Sequence, residues 1–225
     1  MNQGKRKMKI NYIGWLGYGN LGDEALYVSS QNIFSRYWFV PLQSAPSGIN
    51  NSVRSQYSQI TFLGGGTVLP EWTAWVKPTR YNYVFGAGVK NPVFWGNFNS
   101  VIIDRLKSFD FRFIGVRGNV SRALLKDWGI KSEVIGDPCL SLEAIPRERK
   151  DDKKIAINIG SDGVLWGNDE EQVLRGTARV CKILKKMGYH PILIPFWGTN
   201  VPYINRLSMA ASVDVFDNWF DIRSV

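Results

Sequence analysis

The amino-acid sequence predicts an α/β protein: a doubly wound, parallel-sheet, Rossmann-like amino-terminal domain, followed by the first part of a second one. Three observations carry this. Short apolar runs alternate with segments of helical period along the whole chain. The apolar runs end, one after another, on glycine: Gly64-Gly65-Gly66, Gly86-Ala87-Gly88, Gly118 and Gly136. A charged stretch, Pro146 to Lys154, then interrupts the alternation, which restarts beyond it. The implied organisation is residues 1–146 as one domain, 147–154 as an exposed linker and 155–225 as an incomplete second domain.

The first strand, Met8 to Ile13, runs into Gly14-Trp15-Leu16-Gly17-Tyr18-Gly19-Asn20-Leu21-Gly22-Asp23-Glu24. Gly17, Gly19 and Gly22 satisfy GxGxxG, in which glycines let a ligand approach backbone and the following helix offers unpaired N–H groups. A dinucleotide site also wants an acidic residue about 20 positions on. None follows Glu24 until Glu71, and Asp23 and Glu24 would repel a pyrophosphate at that helix start. The spacing next predicts a helix from Asp23 or Glu24 to Phe34, a strand at Tyr37 to Leu42, a polar loop over Ser44 to Ser52, and a strand from Gln59 to Leu63. The latter ends on Gly64-Gly65-Gly66-Thr67, readable either as a tight turn or as bare backbone against which a ligand lies. Strands at Tyr81 to Gly88 and Phe111 to Val116 follow, then a helix over Val120 to Trp128 with Asn119 as its N-cap and Gly129 as its stop. Val134-Ile135 leads into Gly136-Asp137-Pro138, with a carboxylate at the tip. Beyond the linker come a strand at Ile155 to Ile159, a glycine-containing loop at 160–167, and a helix from Asp169 to Met187 stopped by Gly188. A strand at Pro191 to Phe196, a helix at Tyr203 to Ala211 and a strand at Val213 to Phe216 complete the pattern.

Ligands of open parallel sheets bind beyond the carboxyl ends of the strands, so the glycine clusters are expected to line one rim. Trp72 and Trp75, just after the triple glycine in a stretch with Pro70 and Pro78, read as loop residues placed to stack on a sugar. The remaining aromatics read as core.

A net charge of +9 favours anionic partners. Part of it is the face Arg175, Arg179, Lys182 and Lys186, opposite an apolar stripe of Val173, Val180, Cys181 and Leu184, and it reads as a solvated helix face. No recognition-helix, RRM-like or zinc-finger pattern occurs, so nucleic acid is not expected. With two cysteines, no CxxC and a single histidine, neither a disulfide framework nor a metal site is expected, and both thiols read as buried. No run of 18 apolar residues occurs and the basic start lacks a cleavage pattern, which makes a cytoplasmic protein the expectation.

Four motifs in order, Gly17-Tyr18-Gly19-Asn20-Leu21-Gly22-Asp23-Glu24-Ala25, Gly64-Gly65-Gly66-Thr67, Gly115-Val116-Arg117-Gly118 and Val134-Ile135-Gly136-Asp137-Pro138, resemble the polysaccharide pyruvyl transferase family. The resemblance is close over residues 8–142 and by pattern beyond. It implies two Rossmann-like domains facing each other as in GT-B glycosyltransferases. It also implies phosphoenolpyruvate as donor with no further cofactor, and a glycan acceptor from a cell-surface polysaccharide or its lipid-linked precursor, met at the inner face of the membrane. Carried onto this sequence, it makes Asp23 and Arg117 catalytic. It assigns Tyr18, Gly19, Asn20, Gly22, Glu24, Gly64, Gly65, Gly66, Thr67, Trp72, Gly118 and Asp137 to substrate binding.

Read from the residues alone, Arg117 is either an anion fork or a surface arginine paired with Asp137 or Glu133. Asp23 and Glu24 either meet sugar hydroxyls or merely satisfy a helix terminus. The family's Arg-Leu-His type segment and a later basic residue are absent, and His190, at the start of a strand, reads as structural. The chain is therefore expected to be truncated, to self-associate through an uncovered sheet, and not to turn over alone, a carboxylate at its ordinary pKa being a poor acid at pH 7. A non-catalytic sugar- or anion-binding module and a nucleotide or nucleotide-sugar dependent enzyme are the competing readings.

Overall fold

The structure is a computed structural model that describes residues 8–16, 19–42, 58–143, 153–159, 169–196 and 201–215. Expectations for Gly17, Tyr18, the loop at 44–52, most of the linker and the loop at 160–167 lie outside these residues. The chain divides into two compact units, residues 1–17 with 22–143 and residues 18–21 with 144–225.

The first unit is a six-stranded, all-parallel sheet in the order β2-β1-β3-β4-β5-β6. Its strands are β1 (Met8–Ile13), β2 (Tyr37–Leu42), β3 (Ile60–Gly64), β4 (Tyr81–Ala87), β5 (Phe111–Val116) and β6 (Glu133–Val134). The chain steps from β1 outwards to β2 and then reverses to β3 on β1's other side, so the topological switch point lies between β1 and β3. Each strand then adds outward.

Alternation along the strands feeds two cores. From β1, Ile10 and Tyr12 go to an aromatic cluster with Phe39, Phe62 and Phe85, capped by Tyr27 and Phe34 from helix α1 (Leu21–Ile33) and its end. The Phe34 and Phe85 rings meet edge to face at 5.0 Å between centroids, the arrangement favoured by ring quadrupoles. Ile13, one residue on from Tyr12, goes to an aliphatic cluster with Leu63, Val84, Ile114 and Val116. That face is closed by α2 (Trp72–Trp75), α4 (Ser100–Lys107) and α5 (Asn119–Asp127), through Trp72, Leu106 and Leu125. Sheet faces covered on both sides are what continuous apolar strands require.

The main elements fall where the sequence places them, and four details differ. Trp72 is not in a loop: it opens α2, is buried, and packs edge-on against Trp15 at 5.8 Å. The N-cap of α5 is Gly118 rather than Asn119, which is the first helical residue. Two helices went unread, α3 (Pro92–Trp95), whose proline sits at its start, and α4, capped by the Asn99 side chain accepting from Ile102 N–H. A 3₁₀ turn, Pro138–Ser141, follows β6, with the Asp137 carboxylate accepting from Cys139 N–H at 2.9 Å.

The second unit has three parallel strands, β7 (Lys154–Ile157), β8 (His190–Leu193) and β9 (Asp214–Val215), in that order. Helices α6 (Glu170–Lys186) and α7 (Val201–Ala211) alternate with them. Its core gathers Leu174, Ala178, Cys181, Leu193, Ile204 and Leu207. The expected apolar stripe of α6 is rotated: Leu174 and Ala178 carry the buried face with Cys181, whereas Val180 is 50% exposed. Arg175, Arg179, Lys182 and Lys186 are exposed, as a solvated face should be. His190 sits at the amino end of β8, its N–H bonded to Lys153 O.

Candidate functional site

Because all six strands of the first sheet are parallel, the segments after β1, β3, β4, β5 and β6 emerge at one edge. Gly64–Thr67, Gly88, Arg117-Gly118 and Asp137 therefore share the rim expected of them. Gly19 and Asn20 lie on the approach to α1, and Gly22 within it.

The turn after β3 organises the site. Gly65 and Gly66 have φ of 87° and 53°, a backbone region that side chains strain, so this turn needs glycine twice. It also needs the space. A Cβ at Gly66 would overlap the Asp23 carboxylate, and one at Gly65 would lie 3.1 Å from the Tyr12 hydroxyl. The glycines are therefore required by the turn's backbone and by the packing of Asp23 and Tyr12 against it. Next along the turn, Thr67 accepts a hydrogen bond from Arg117 Nη2 at 3.3 Å. Arg117 Nη1 pairs with Asp137 Oδ2 at 3.4 Å. Both contacts are long, and a guanidinium has five donors, so most of its capacity is uncommitted to them. Gly88 makes room for it: a Cβ there would come within 2.7 Å of Arg117 Nη2. Backbone bonds lock the parts in register, Gly88 N–H to Gly66 O at 2.9 Å and Arg117 N–H to Ala87 O at 3.2 Å.

Asp23 is the one buried ionisable carboxyl among the described residues, 9% exposed in the first turn of α1. Burial pushes it up to about 6, against the downward pull of the Arg117 guanidinium and with a further push from Glu24. The sequence-based expectation of an ordinary carboxylate is thereby corrected. Desolvation exceeds the attraction of the arginine, and the group is poised to hold or release a proton near neutrality. Glu24 beside it is only half-buried.

Beneath the rim lies a polar layer that sequence reasoning missed. Tyr12 is fully buried and its hydroxyl has no hydrogen bond of acceptable geometry among the described residues. Ser30 stands close enough to favour the phenolate, but its hydroxyl donates to Leu26 O at 2.8 Å, and burial dominates, pushing the phenol well up. Cys139 is half-buried rather than buried. Desolvation raises its thiol, Ser29 opposes that by hydrogen bonding, and the Asp137 charge adds to it, so it is not an activated nucleophile. A Tyr at the penultimate position of β1 and a Cys two residues beyond Asp137 were the available signals.

Of the candidate residues, the structure brings together the two catalytic ones, Asp23 and Arg117, with Gly64, Gly65, Gly66, Thr67, Gly118 and Asp137 from the substrate-binding set. It does not bring Trp72, which is spent on the core. Among the described residues no group of three or more His, Cys, Asp or Glu could hold a metal ion, and no helix is long and apolar enough to cross a membrane.

No curated protein matches the chain. A family model, polysaccharide pyruvyl transferase, matches residues 20–223. The match takes in Asp23, the glycine turn, Arg117 and Asp137. It runs on through the second unit, well beyond the stretch where the sequence motifs are dense. Covering most of the chain and every charged group of the rim, it shows that this chain belongs to the polysaccharide pyruvyl transferase family, a family of transferases.

Proposed function

We propose that the chain transfers pyruvate from phosphoenolpyruvate to two hydroxyls of a cell-surface glycan or its lipid-linked precursor, forming a ketal. One observation carries the assignment of roles: a buried carboxyl, raised to about 6, stands beside an arginine fork on a glycine rim at the switch point. The chemistry asks for that combination. A proton is added to the terminal carbon of the enol, two acceptor oxygens form bonds to the central carbon, and the bond to the phosphate oxygen breaks. The two acceptor protons balance the one gained by carbon and the one leaving with phosphate.

In this reading Arg117 binds the donor's carboxylate or phosphate, with Thr67 and Asp137 fixing the plane of its fork. Asp23, which holds its proton up to about pH 6, protonates the enol carbon. A general acid works best with a pKa near the working pH, and burial supplies that shift. Glu24 and the turn at Gly64 to Thr67 receive sugar hydroxyls. The donor needs no cofactor, and the glycan-bearing lipid would bring the protein to the inner face of a membrane.

The test is to incubate the protein with phosphoenolpyruvate and a panel of glycan acceptors. Mass spectrometry would look for acceptor that has gained pyruvic acid less water, alongside release of inorganic phosphate. Binding of phosphoenolpyruvate without either product would favour a non-catalytic module. Preferential binding of UDP-sugars or NAD would favour a nucleotide-dependent enzyme.

A further inference from the structure

Asp23 and Arg117 are held by consecutive residues of one turn, the carboxylate against the bare Cα of Gly66 and the guanidinium on the Thr67 hydroxyl. The rim edge of Arg117 is about a third exposed, whereas Asp23 is buried behind the turn. The arginine therefore presents the more open face to an anion. We propose that these two groups form a proton-linked anion site: an anion docking on Arg117 drives a proton onto Asp23. The inference rests on the assignment of Arg117 as the anion subsite.

The physical reason is charge accounting in a poorly solvated place. The Arg117 charge favours the ionised form of Asp23, and burial opposes it more strongly. An anion on the guanidinium cancels that favourable field and adds a negative charge nearby, so both changes push the carboxyl towards its neutral form. By linkage, the neutral carboxyl must in turn favour the anion by the same factor. The other groups facing Asp23 do not undo this. Glu24 on the same helix raises the carboxyl further, and the Tyr12 phenol below is held neutral by burial. The consequence for the proposed reaction is timing: the donor would load the acid that the next step uses.

The experiment measures dissociation constants by calorimetry at pH 5.5 to 8.5 for two probes, sulfate, which does not titrate in that range, and phosphoenolpyruvate. Wild-type affinity is expected to fall as pH rises above about 6, by up to tenfold per pH unit. Asp23→Asn should bind both probes at least as tightly as the wild type does at low pH, with no pH slope for sulfate. Arg117→Ala should lose affinity at every pH. Wild-type affinity for sulfate that is flat from pH 5.5 to 8.5, an Asp23→Asn variant with the wild-type slope, or no anion binding at any pH would each overturn the proposal. The sulfate arm separates this inference from the reading of the reaction. Linkage with sulfate but no ketal product removes the reaction alone, and ketal formation with pH-independent affinity removes the linkage alone.

Discussion

The two units of this protein are built in the same way, parallel strands joined by helices, yet they treat charge differently. All seven of the buried polar or charged residues among those described, Asn11, Asp23, Ser29, Ser30, Thr61, Thr73 and Asn82, belong to the first unit. In the second unit the described charges stay outside. Glu171 pairs with Arg206 at the surface, Lys185 donates to Ser212 O at 2.7 Å, and Asp169 caps α6 by accepting from Gln172 N–H at 2.8 Å. The architecture alone therefore does not make the site. What makes it is a carboxyl drawn below the rim by glycines that leave it room, with an arginine close enough to share its field but too exposed to neutralise it.

Breaking the charged pair should produce the largest effect. Asp23→Asn keeps the shape and removes the proton, so ketal formation should fall by about 10²- to 10⁴-fold, the range for a general acid, while donor binding persists. Turnover by single-turnover mass spectrometry beside calorimetric binding separates the two. Next comes the fork. Arg117→Ala should cost about 1.5 to 3 kcal/mol of donor binding, roughly 10- to 150-fold in affinity, and Lys should restore only part because it keeps charge without the planar donors.

The same aspartate should trade stability for function. Its native carboxyl titrates near 6 and its unfolded one in the ordinary carboxylate range. The contribution of Asp23 to wild-type stability is therefore greatest below that range, declines as pH rises to about 6, and is level above. Asp23→Asn should be more stable than wild type by about 2 to 3 kcal/mol at pH 8 and should lose that decline. Urea unfolding across pH reads both.

Gly86 tests the scaffold beneath the charges. It has φ of 67°, and a Cβ there would overlap the Pro138 ring that starts the 3₁₀ turn. Gly86→Ala should cost about 1 to 3 kcal/mol and shift Asp137 with its turn. Smallest of all, Arg206→Ala in the second unit removes an exposed pair and should change stability by no more than about 0.5 kcal/mol. A large loss there would mean the second unit stores energy in charge after all.

The fold was legible because its signals are local. Strand runs such as Met8 to Ile13 and Phe111 to Val116 are apolar over one element and stop on glycine, so their ends were readable without partners. Helix α4 was not, because its burial rests chiefly on Leu106 and its start on the cap by Asn99. Trp72 was misread for a related reason: nearby prolines mark a loop in sequence, but the Trp15 ring it meets lies 57 positions away (72 − 15). For the site, residue types and positions were readable and their energetics were not. Asp23 looks like any acidic residue in a first helical turn, and its burial depends on Gly66, which comes from another strand's end. The register of Arg117 against Thr67, 50 residues apart, is likewise a property of the assembled sheet.

The most direct test of the account is the pH profile of kcat/KM for phosphoenolpyruvate-dependent ketal formation, taken from pH 5 to 8.5 in the wild type and in Asp23→Asn. The account predicts that the wild-type value falls above about pH 6 as Asp23 loses its proton, approaching tenfold per pH unit, and that the residual rate of the variant shows no such fall. A wild-type profile without that descent, or an Asp23→Asn variant that turns over at the wild-type rate, would contradict it.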